Sequence, residues 1–445
     1  MNRSTPARKI KSKFELIIQR PFGDPLGMSF SLAVSIAVFI AIAIRQWLPE
    51  WIKIWQIMSA GAVAVLITGN LAPTEAFNAI DWNVIAYLFG VFAISHALFA
   101  SGISEKVSNK ICTPGRSIPL ILLPFILFVT AVSAVLTNDA AAAIGTPIAI
   151  AIAARLQIKA SLPLIALCVT VTVGSMFSPV GNPQNLLIVA DGHFDNPVGT
   201  FLIWLGPPAI VSLAFTLLWF WYRLKTEKPG EAPEAVTPED VTVHPAPALI
   251  STALLSVLVI LDSVAGGASW FPDLPLGLIS LIAAIPLFVL SSNRVQILKE
   301  VDWHTLIFFV AMFIVTGAVL KSGVLQEWLS PWRHQLGDPL LLSSIAFWGS
   351  QLFSNVPLVE IYLNLLEKHD VAVLMLLSGI STLAGNLFII SAASNVIIIQ
   401  QAEKHGIKPF QFWQFTATVL PVTIVSLIVC YGWVALMRVL LNGGS

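Results

Sequence analysis

The sequence contains little charge and few cysteines. Only 11% of its 445 residues are charged and 56% are hydrophobic, whereas about a quarter of a soluble domain is charged. A water-soluble fold is therefore excluded. The formal net charge of zero gives no indication of nucleic-acid binding. Cys112, Cys168 and Cys430 lie far apart, so neither a disulfide framework nor a zinc site is expected.

The sequence also lacks the signatures of several catalytic sites. HExxH, GxSxG and the phosphate-binding GxxxxGK[ST] loop are all absent, which argues against an intramembrane enzyme. Because the nucleotide loop is missing, primary pumping would require a separate ATPase subunit, which nothing in the sequence indicates. No organic cofactor is expected.

Long apolar stretches make up most of the chain. About 20 residues, at about 1.5 Å each, cross a hydrocarbon core about 30 Å thick. Five such stretches precede a polar linker and five follow it: 26–45, 54–72, 82–101, 161–190 and 200–222, then 247–264, 275–291, 303–321, 371–403 and 411–440. We predict an all-α polytopic protein of a prokaryotic inner or plasma membrane, with a basic tail (1–25), a first transmembrane repeat (26–222), a linker (223–246) and a second repeat (247–440).

The two halves resemble each other in residues as well as in hydropathy. Asp81–Ile103 aligns without gaps to Asp302–Val324, with six identities in 23 positions, including the Asp-Trp start and the Ser-Gly end. Apolar segments often match by chance, so the shared ends carry most of the weight. They indicate an internal duplication.

Between the third and fourth stretches of each half, two apolar arms meet at a polar tip. The arms are Ile118–Leu136 and Ala140–Ala154 around Thr137-Asn138-Asp139, and Pro339–Phe353 and Val356–Leu366 around Ser354-Asn355. The second pair has 15 and 11 residues and reaches only about 22 and 16 Å. We therefore predict a re-entrant hairpin in each half, because irregular backbone at membrane depth must be buried or wet.

Five crossings per half is an odd number, so the second half is predicted to be inverted relative to the first, a common transporter architecture. The distribution of Lys and Arg over all loops and that of the N-terminal tail give opposite orientations. The side of the membrane that the N-terminus faces therefore stays open.

The fourth stretch of each half is interrupted, at Ser178–Asn185 and at Ser391–Asn395. A broken helix frees carbonyls for a cation and directs helix N-termini at an anion. A simple kink or a helix cap is the alternative explanation. The tips and interruptions supply the candidate residues for substrate or ion binding, which are Thr137, Asn138, Asp139, Gly181, Asn182, Gln184, Asn185, Ser354, Asn355, Ser394 and Asn395.

Three titratable residues are candidates for coupling to a proton or cation. Asp139 is the sharpest, since a carboxylate at mid-membrane depth must be paired, protonated or bound to a cation. Glu360 lies five residues beyond Asn355, and His96 lies in the middle of the third stretch, where a hydrogen-bonded core histidine is the alternative. Sodium is the candidate metal ion, at the four asparagines Asn138, Asn185, Asn355 and Asn395.

These residues carry a family resemblance over nearly the whole chain from about residue 26. TNDAAAAIGTPI (137–148), GSMFSPVGNPQNLLI (174–188), SNVPLVEI and ISAASNVIII resemble the ion-transporter superfamily of ArsB-type arsenite permeases, NhaD-type antiporters and citrate and dicarboxylate symporters, above all YbiR-type anion permeases. The resemblance implies an elevator-like protein, often a homodimer. In its carboxylate symporters each tip reads Ser-Asn-Thr. Here both asparagines carry over, but Asp139 and Val356 replace threonine, which puts dicarboxylate transport in doubt.

Three functions follow as hypotheses. The leading one is a secondary transporter of a small inorganic or organic anion, coupled to sodium or protons, because the sites offer neutral Asn and Ser shells without Lys or Arg. A sodium/proton antiporter would use Asp139 and Glu360. An arsenite efflux permease is the third. The expected partners are a small ion, the lipid bilayer and a second copy of the chain, without nucleic acid.

Overall fold

The computed structural model describes residues 25–44, 48–49, 51–111, 116–192, 194, 196–227, 233, 244–265, 274–353, 355–366 and 370–442. Within these ranges the chain forms α-helices and short 3-10 turns, without strands. The first half contains α1 Pro25–Ala43, α2 Ile54–Ile67, α3 Pro73–Ala79, α4 Trp82–Ala100, α5 Ile103–Ile111, α6 Ile118–Val135, α7 Asn138–Leu156, α8 Ser161–Gly174, α9 Pro183–Gly192, α10 Pro197–Trp204 and α11 Gly206–Thr226. The second half contains α12 Pro245–Ala265, α13 Leu276–Leu290, α14 Arg294–Lys299, α15 Trp303–Ser322, α16 Val324–Leu329, α17 Pro339–Phe353, α18 Asn355–Leu365, α19 Val371–Ala384, α20 Ala393–Lys404 and α21 Phe412–Asn442.

Side-chain caps mark the start of several helices. Thr137 accepts a hydrogen bond from the backbone N–H of Ala140 at the start of α7, and Asp302 accepts one from Thr305 at the start of α15. Such caps satisfy donors that have no partner within the helix. In each hairpin the second α-helix begins at the asparagine of the predicted tip, α7 at Asn138 and α18 at Asn355.

Several helices are long and apolar enough to cross a membrane. Among the described residues these are α6, α7, α12, the segment 294–322 and α21, and two bent pairs, α3–α4 and α10–α11, add up to two more spans by the same criterion. The predicted ten spans include interrupted and shorter helices that this criterion leaves out. Since α6 and α7 have 18 and 19 residues, the re-entrant course of the first hairpin stays a prediction.

The distribution of polar and apolar side chains reverses that of a soluble protein. The outer helices expose large apolar side chains, such as Leu127 on α6 and Ile428 on α21, whereas Asn182, Asn185 and Asn395 are completely buried. Exposed apolar surface on this scale is unfavourable in water and suits a lipid environment. The polar residues are therefore concentrated in the interior.

The helices form two groups. In bundle 1, α13 and α12 pack on α4, while α2 and α1 pack on α15. In bundle 2, α6 packs on α8 and α17 on α19, α20 contacts α7, α9 contacts α18, and α11 packs on α21. Each of these contacts has a counterpart in which the equivalent helices of the two halves are exchanged.

The two interrupted helices lie in bundle 2. The first interruption runs from the end of α8 at Gly174 to the start of α9 at Pro183, with a 3-10 turn at Ser175–Phe177. The second begins earlier than the predicted 391–395, because α19 already ends at Ala384 and α20 starts at Ala393. The carbonyls of Gly385 and Phe388, within the interruption, bond to the Asn395 side chain instead of continuing the helix.

Candidate functional site

A cavity of about 280 Å³ lies between the two bundles. Bundle 1 contributes the start of α4 and the end of α15, and bundle 2 contributes the starts of α7, α9, α18 and α20. Water occupies about 30 Å³ per molecule, so the cavity accommodates a small solute. Six predicted residues line it: Thr137, Asn138, Asp139, Gln184, Asn355 and Glu360. Predicted Ser354 lies outside the described residues.

The first tip is fixed by hydrogen bonds to both bundles. The Thr137 hydroxyl lies 2.9 Å from the hydroxyl of Tyr87 on α4 and caps α7. The backbone N–H of Asn138 donates to the carbonyl of Gly181, at 2.7 Å. The tip and the first interruption are thereby held in contact.

Close packing of the backbone explains the glycine in the first interruption. A Cβ atom on Gly181 would overlap the carbonyl oxygen of Ser175, so a larger residue would displace this turn. Beside it, Asn182 donates to the hydroxyls of Ser175 and Thr382, at 3.0 and 3.1 Å. Gln184 donates to the same Thr382 oxygen at 3.4 Å. Thr382, near the end of α19, thus joins the first interruption to the helix that precedes the second.

Asn185 and Asn395 make matching contacts behind the cavity. The Asn185 side chain donates to the carbonyls of Ser175 and Ser178, ten and seven residues earlier. Asn395 donates to carbonyls at the same two separations, those of Gly385 and Phe388. Neither asparagine lines the cavity. The amide of each one instead braces the interruption that immediately precedes it. Sodium binding at these two positions stays a prediction.

Several buried oxygens in and beside the cavity have no hydrogen-bond partner among the described residues. Three of these oxygens, Asn138 Oδ1, Asp139 Oδ1 and Asn355 Oδ1, belong to residues that line the cavity, whereas Ser394 Oγ and Asn395 Oδ1 lie behind it. Leaving such an acceptor empty costs about 1–3 kcal/mol. Carboxylate and amide oxygens accept hydrogen bonds from a bound solute and also bind hard cations. Both tips therefore place buried acceptor oxygens on residues beside the same cavity.

The lining of the cavity is acidic. Asp139, only 4% exposed, shares it with Glu75, Asp81 and Glu360, and the single basic residue in the described lining is Lys321. The predicted tips and interruptions contain no Lys or Arg, but Lys321 reaches the cavity from the end of α15. Its ammonium lies 2.6 Å from the Glu75 carboxylate, so most of its charge is neutralised.

One predicted residue lies away from the large cavity, and some polar residues near the site were not predicted. His96 lies in a separate small cavity with Asp302 and Gln401, away from the tips. Tyr87 and Gln351 are among the polar residues that the sequence-based prediction missed. Gln351 accepts a hydrogen bond from the Ser391 hydroxyl and donates one to the Ala384 carbonyl at 2.8 Å. A tyrosine or glutamine within an apolar stretch is the only local signal that could have identified them.

Comparison with known proteins finds transporters among the relatives of this chain. The inner membrane protein YbiR of Escherichia coli is 26% identical over 380 residues, 85% of this chain and 94% of that protein. An uncharacterized transporter of Mycobacterium tuberculosis is 27% identical over 368 residues, 78% of this chain and 85% of that protein. The silicon efflux transporter LSI3 of rice is 22% identical over 437 residues, 82% and 89% of the two chains.

The resemblance to YbiR-type proteins is thus confirmed, and so is an integral, multi-pass membrane protein. A bacterial inner membrane fits the bacterial relatives. The family described as "Citrate transporter" matches residues 37–367. The chain therefore belongs to this family, CitMHS, and is a membrane transporter.

Proposed function

We propose that the protein is a secondary active transporter that holds its solute between the two tips and couples its movement to protons or a cation at Asp139 and Glu360. The observation that carries this proposal is a set of buried acceptor oxygens, without a partner among the described residues, on residues that line an acidic cavity. A carboxylate at membrane depth is costly unless a proton or cation neutralises it. Neutralisation of Asp139 thereby ties solute binding to the coupling ion.

The charge of the lining narrows the class of solute. Four carboxylates and one paired lysine disfavour a free anion, whereas acceptor oxygens favour a solute with hydroxyl donors. We therefore favour a small oxyacid that is bound undissociated. The name of the rice relative, a silicon efflux transporter, and the predicted arsenite function fit this class, because silicic and arsenious acids are undissociated at neutral pH.

Anion symport is the second candidate. The starts of α9 and α20 line the cavity through Pro183, Gln184 and Ala393, and helix N-termini carry partial positive charge. An anion would bind there together with the cation or proton that neutralises Asp139. The family description as a citrate transporter supports this alternative.

We further propose that the halves are inverted repeats and that bundle 2 moves against bundle 1. The Trp82 indole donates to the carbonyl of Phe77, five residues earlier, and Trp303 donates to Leu298 in the same way, both at 3.2 Å. The start of α4 and the end of α15 line the same cavity, which supports opposite directions for these equivalent helices. Inverted repeats allow a site to open to either side in turn.

The test is transport by purified protein in proteoliposomes with silicic acid, arsenite, citrate and sodium offered separately, and with a pH dye inside. We expect Asn138→Ala and Asn355→Ala each to abolish transport, since each removes a cavity acceptor. Asn364→Ala is the matched control, because it lies on α18 with Asn355 but is exposed and bonds only to the Glu360 carbonyl. Wild-type rates in both tip variants would refute the site. An absence of sodium-driven pH change would exclude sodium/proton antiport.

A further inference from the structure

A second, much smaller cavity lies beyond the tips. It has a volume of about 10 Å³, roughly the space of one water molecule. Ser95, His96, Asp302, Gln401 and Lys404 are among its lining residues. It therefore lies further along α4 and at the start of α15, whereas the large cavity occupies the opposite end of each helix.

The lining of the small cavity repeats that of the large one. In the gapless alignment of the two halves, Phe92, Ser95 and His96 correspond to Phe313, Thr316 and Gly317, which line the large cavity. Asp302 likewise corresponds to Asp81. Equivalent faces of α4 and α15 thus each border a cavity.

The two cavities differ in how they are closed. Asp302 is 3% exposed, and its carboxylate accepts hydrogen bonds from the Thr305 hydroxyl at 2.7 Å and from Gln401 Nε2 at 3.1 Å. Asp81 is exposed, and the hydrogen bonds given for its carboxylate come from the N–H groups of its own helix, at Asn83 and Val84. Only the buried aspartate is bonded to a helix of bundle 2.

Further contacts join the bundles at the small cavity. Ser95 on α4 donates to the carbonyl of Ala143 on α7 at 2.8 Å. Lys404, at the end of α20, forms an ion pair with Glu300 at 3.3 Å and also donates to its carbonyl. In the second half, α15 and α18, which correspond to α4 and α7, instead face each other across the large cavity.

From this asymmetry we infer that the small cavity is the closed second mouth of the transport path, and that Gln401 and Lys404 hold it shut by bonding α20 to Asp302 and Glu300. The inference rests on the proposed transport function. When the protein opens to the other side, these contacts separate, Asp302 becomes exposed and the large cavity closes around Asp81. The solute then leaves past Ser95 and His96.

Cysteine labelling tests this inference without knowledge of the solute. In a background with Cys112, Cys168 and Cys430 replaced by alanine, Ser95→Cys reports on the small cavity and Thr316→Cys on the large one. A small membrane-impermeant maleimide is applied to both sides of the membrane. We expect rapid labelling of Thr316→Cys and slow labelling of Ser95→Cys.

Loss of a closing contact is expected to change the two rates in opposite directions. Gln401→Ala removes one buried hydrogen bond, and a bond of about 1.4 kcal/mol corresponds to a tenfold change in population. We expect Ser95→Cys to react up to about tenfold faster and Thr316→Cys to react more slowly. Lys404→Gln, at the exposed rim, provides a second and milder variant. Thr226→Ala, which loses an exposed hydroxyl at the end of α11, is expected to change neither rate.

Two results would overturn the second mouth. Ser95→Cys labelling that is unchanged in both closing variants would show that these contacts do not close a path. A rise at both cysteines together would indicate local unfolding. Reciprocal rates without transport of any offered solute would support the second mouth and count against the proposed substrate class instead.

Discussion

Each interruption contains an asparagine whose side chain bonds to the preceding backbone, but the two side chains differ in how many of their atoms are hydrogen-bonded. At the first, both ends of the Asn185 amide are engaged, because its oxygen also accepts a hydrogen bond from Ser378 at 2.7 Å. At the second, the oxygen of Asn395 has no partner among the described residues. When Asn185 is aligned with Asn395, the residue that corresponds to Ser378 is Cys168, and a thiol is only a weak donor.

The same contrast extends to neighbouring positions. Asn182 and Gln184 of the first interruption donate to Thr382, whereas the aligned Ala392 has no polar side chain and the aligned Ser394 oxygen is unpartnered. The two interruptions thus share the asparagine brace, but they differ in how many of their buried acceptors have a partner among the described residues. On this basis the first interruption is a fixed frame beside Asp139, while the second keeps the buried oxygens of Ser394 and Asn395 available. This division of roles is a hypothesis that substitutions in the two halves can break or sharpen.

The largest effect is expected at Gly181. Gly181→Ala places a methyl group against the Ser175 backbone, whereas the aligned residue of the second half, Ser391, already has a side chain. We expect a loss of about 3 kcal/mol or more of stability, measured by thermal unfolding of the purified protein. Gly432→Ala is the control, since nothing lies within 4 Å of its Cβ position in α21. Equal stability of the two variants would contradict the close packing inferred for the first interruption.

The next largest effect is expected on transport, from a substitution at the first tip. This tip contains an acidic residue, Asp139, and the second does not. Asp139→Asn keeps the shape of the side chain but removes the charge that a proton or cation neutralises. A charge-assisted contact contributes about 1.5–3 kcal/mol, so we expect gradient-driven transport to fall by up to about a hundredfold, while exchange without a gradient persists. Initial rates in proteoliposomes under sodium or pH gradients measure this. Asp370→Asn, an N-cap of α19 outside the cavity, serves as the control. Unchanged dependence on sodium and pH in Asp139→Asn would count against the assignment.

The sequence was informative where the signal is local. Pro and Gly at Ser178–Asn185 predicted the break before α9, and Thr137-Asn138-Asp139 predicted the start of α7, because caps and helix breakers act within a few residues. The second break was placed too late. Its first residues, Gly385 and Asn386, are an ambiguous pair within an apolar stretch, and the side chains that bond to the backbone there, Gln351 and Asn395, are distant in sequence.

Contacts between distant residues were not predictable from one sequence. Asn182 and Thr382 are 200 positions apart, and Tyr87 and Thr137 are 50 apart. Hydropathy gives the helices but not which polar faces meet. For the same reason the sequence could not separate Asn138 and Asn355, which line the cavity, from Asn185 and Asn395, which lie behind it. It also missed Lys321, whose place at the cavity follows from the packing of α15.

The smallest effect is expected from the two bracing asparagines, and it addresses the comparison most directly. Asn185→Ala removes two donated hydrogen bonds and one accepted bond, whereas Asn395→Ala removes only two donated bonds. At about 1 kcal/mol per hydrogen bond, we expect Asn185→Ala to lower the free energy of unfolding by about 1 kcal/mol more than Asn395→Ala. Denaturant unfolding of the purified variants measures the difference. Repeating both substitutions in a Ser378→Ala background isolates its cause, since the extra cost at Asn185 should then disappear. Equal costs in the wild-type background would mean that the Ser378 bond does not distinguish the two halves.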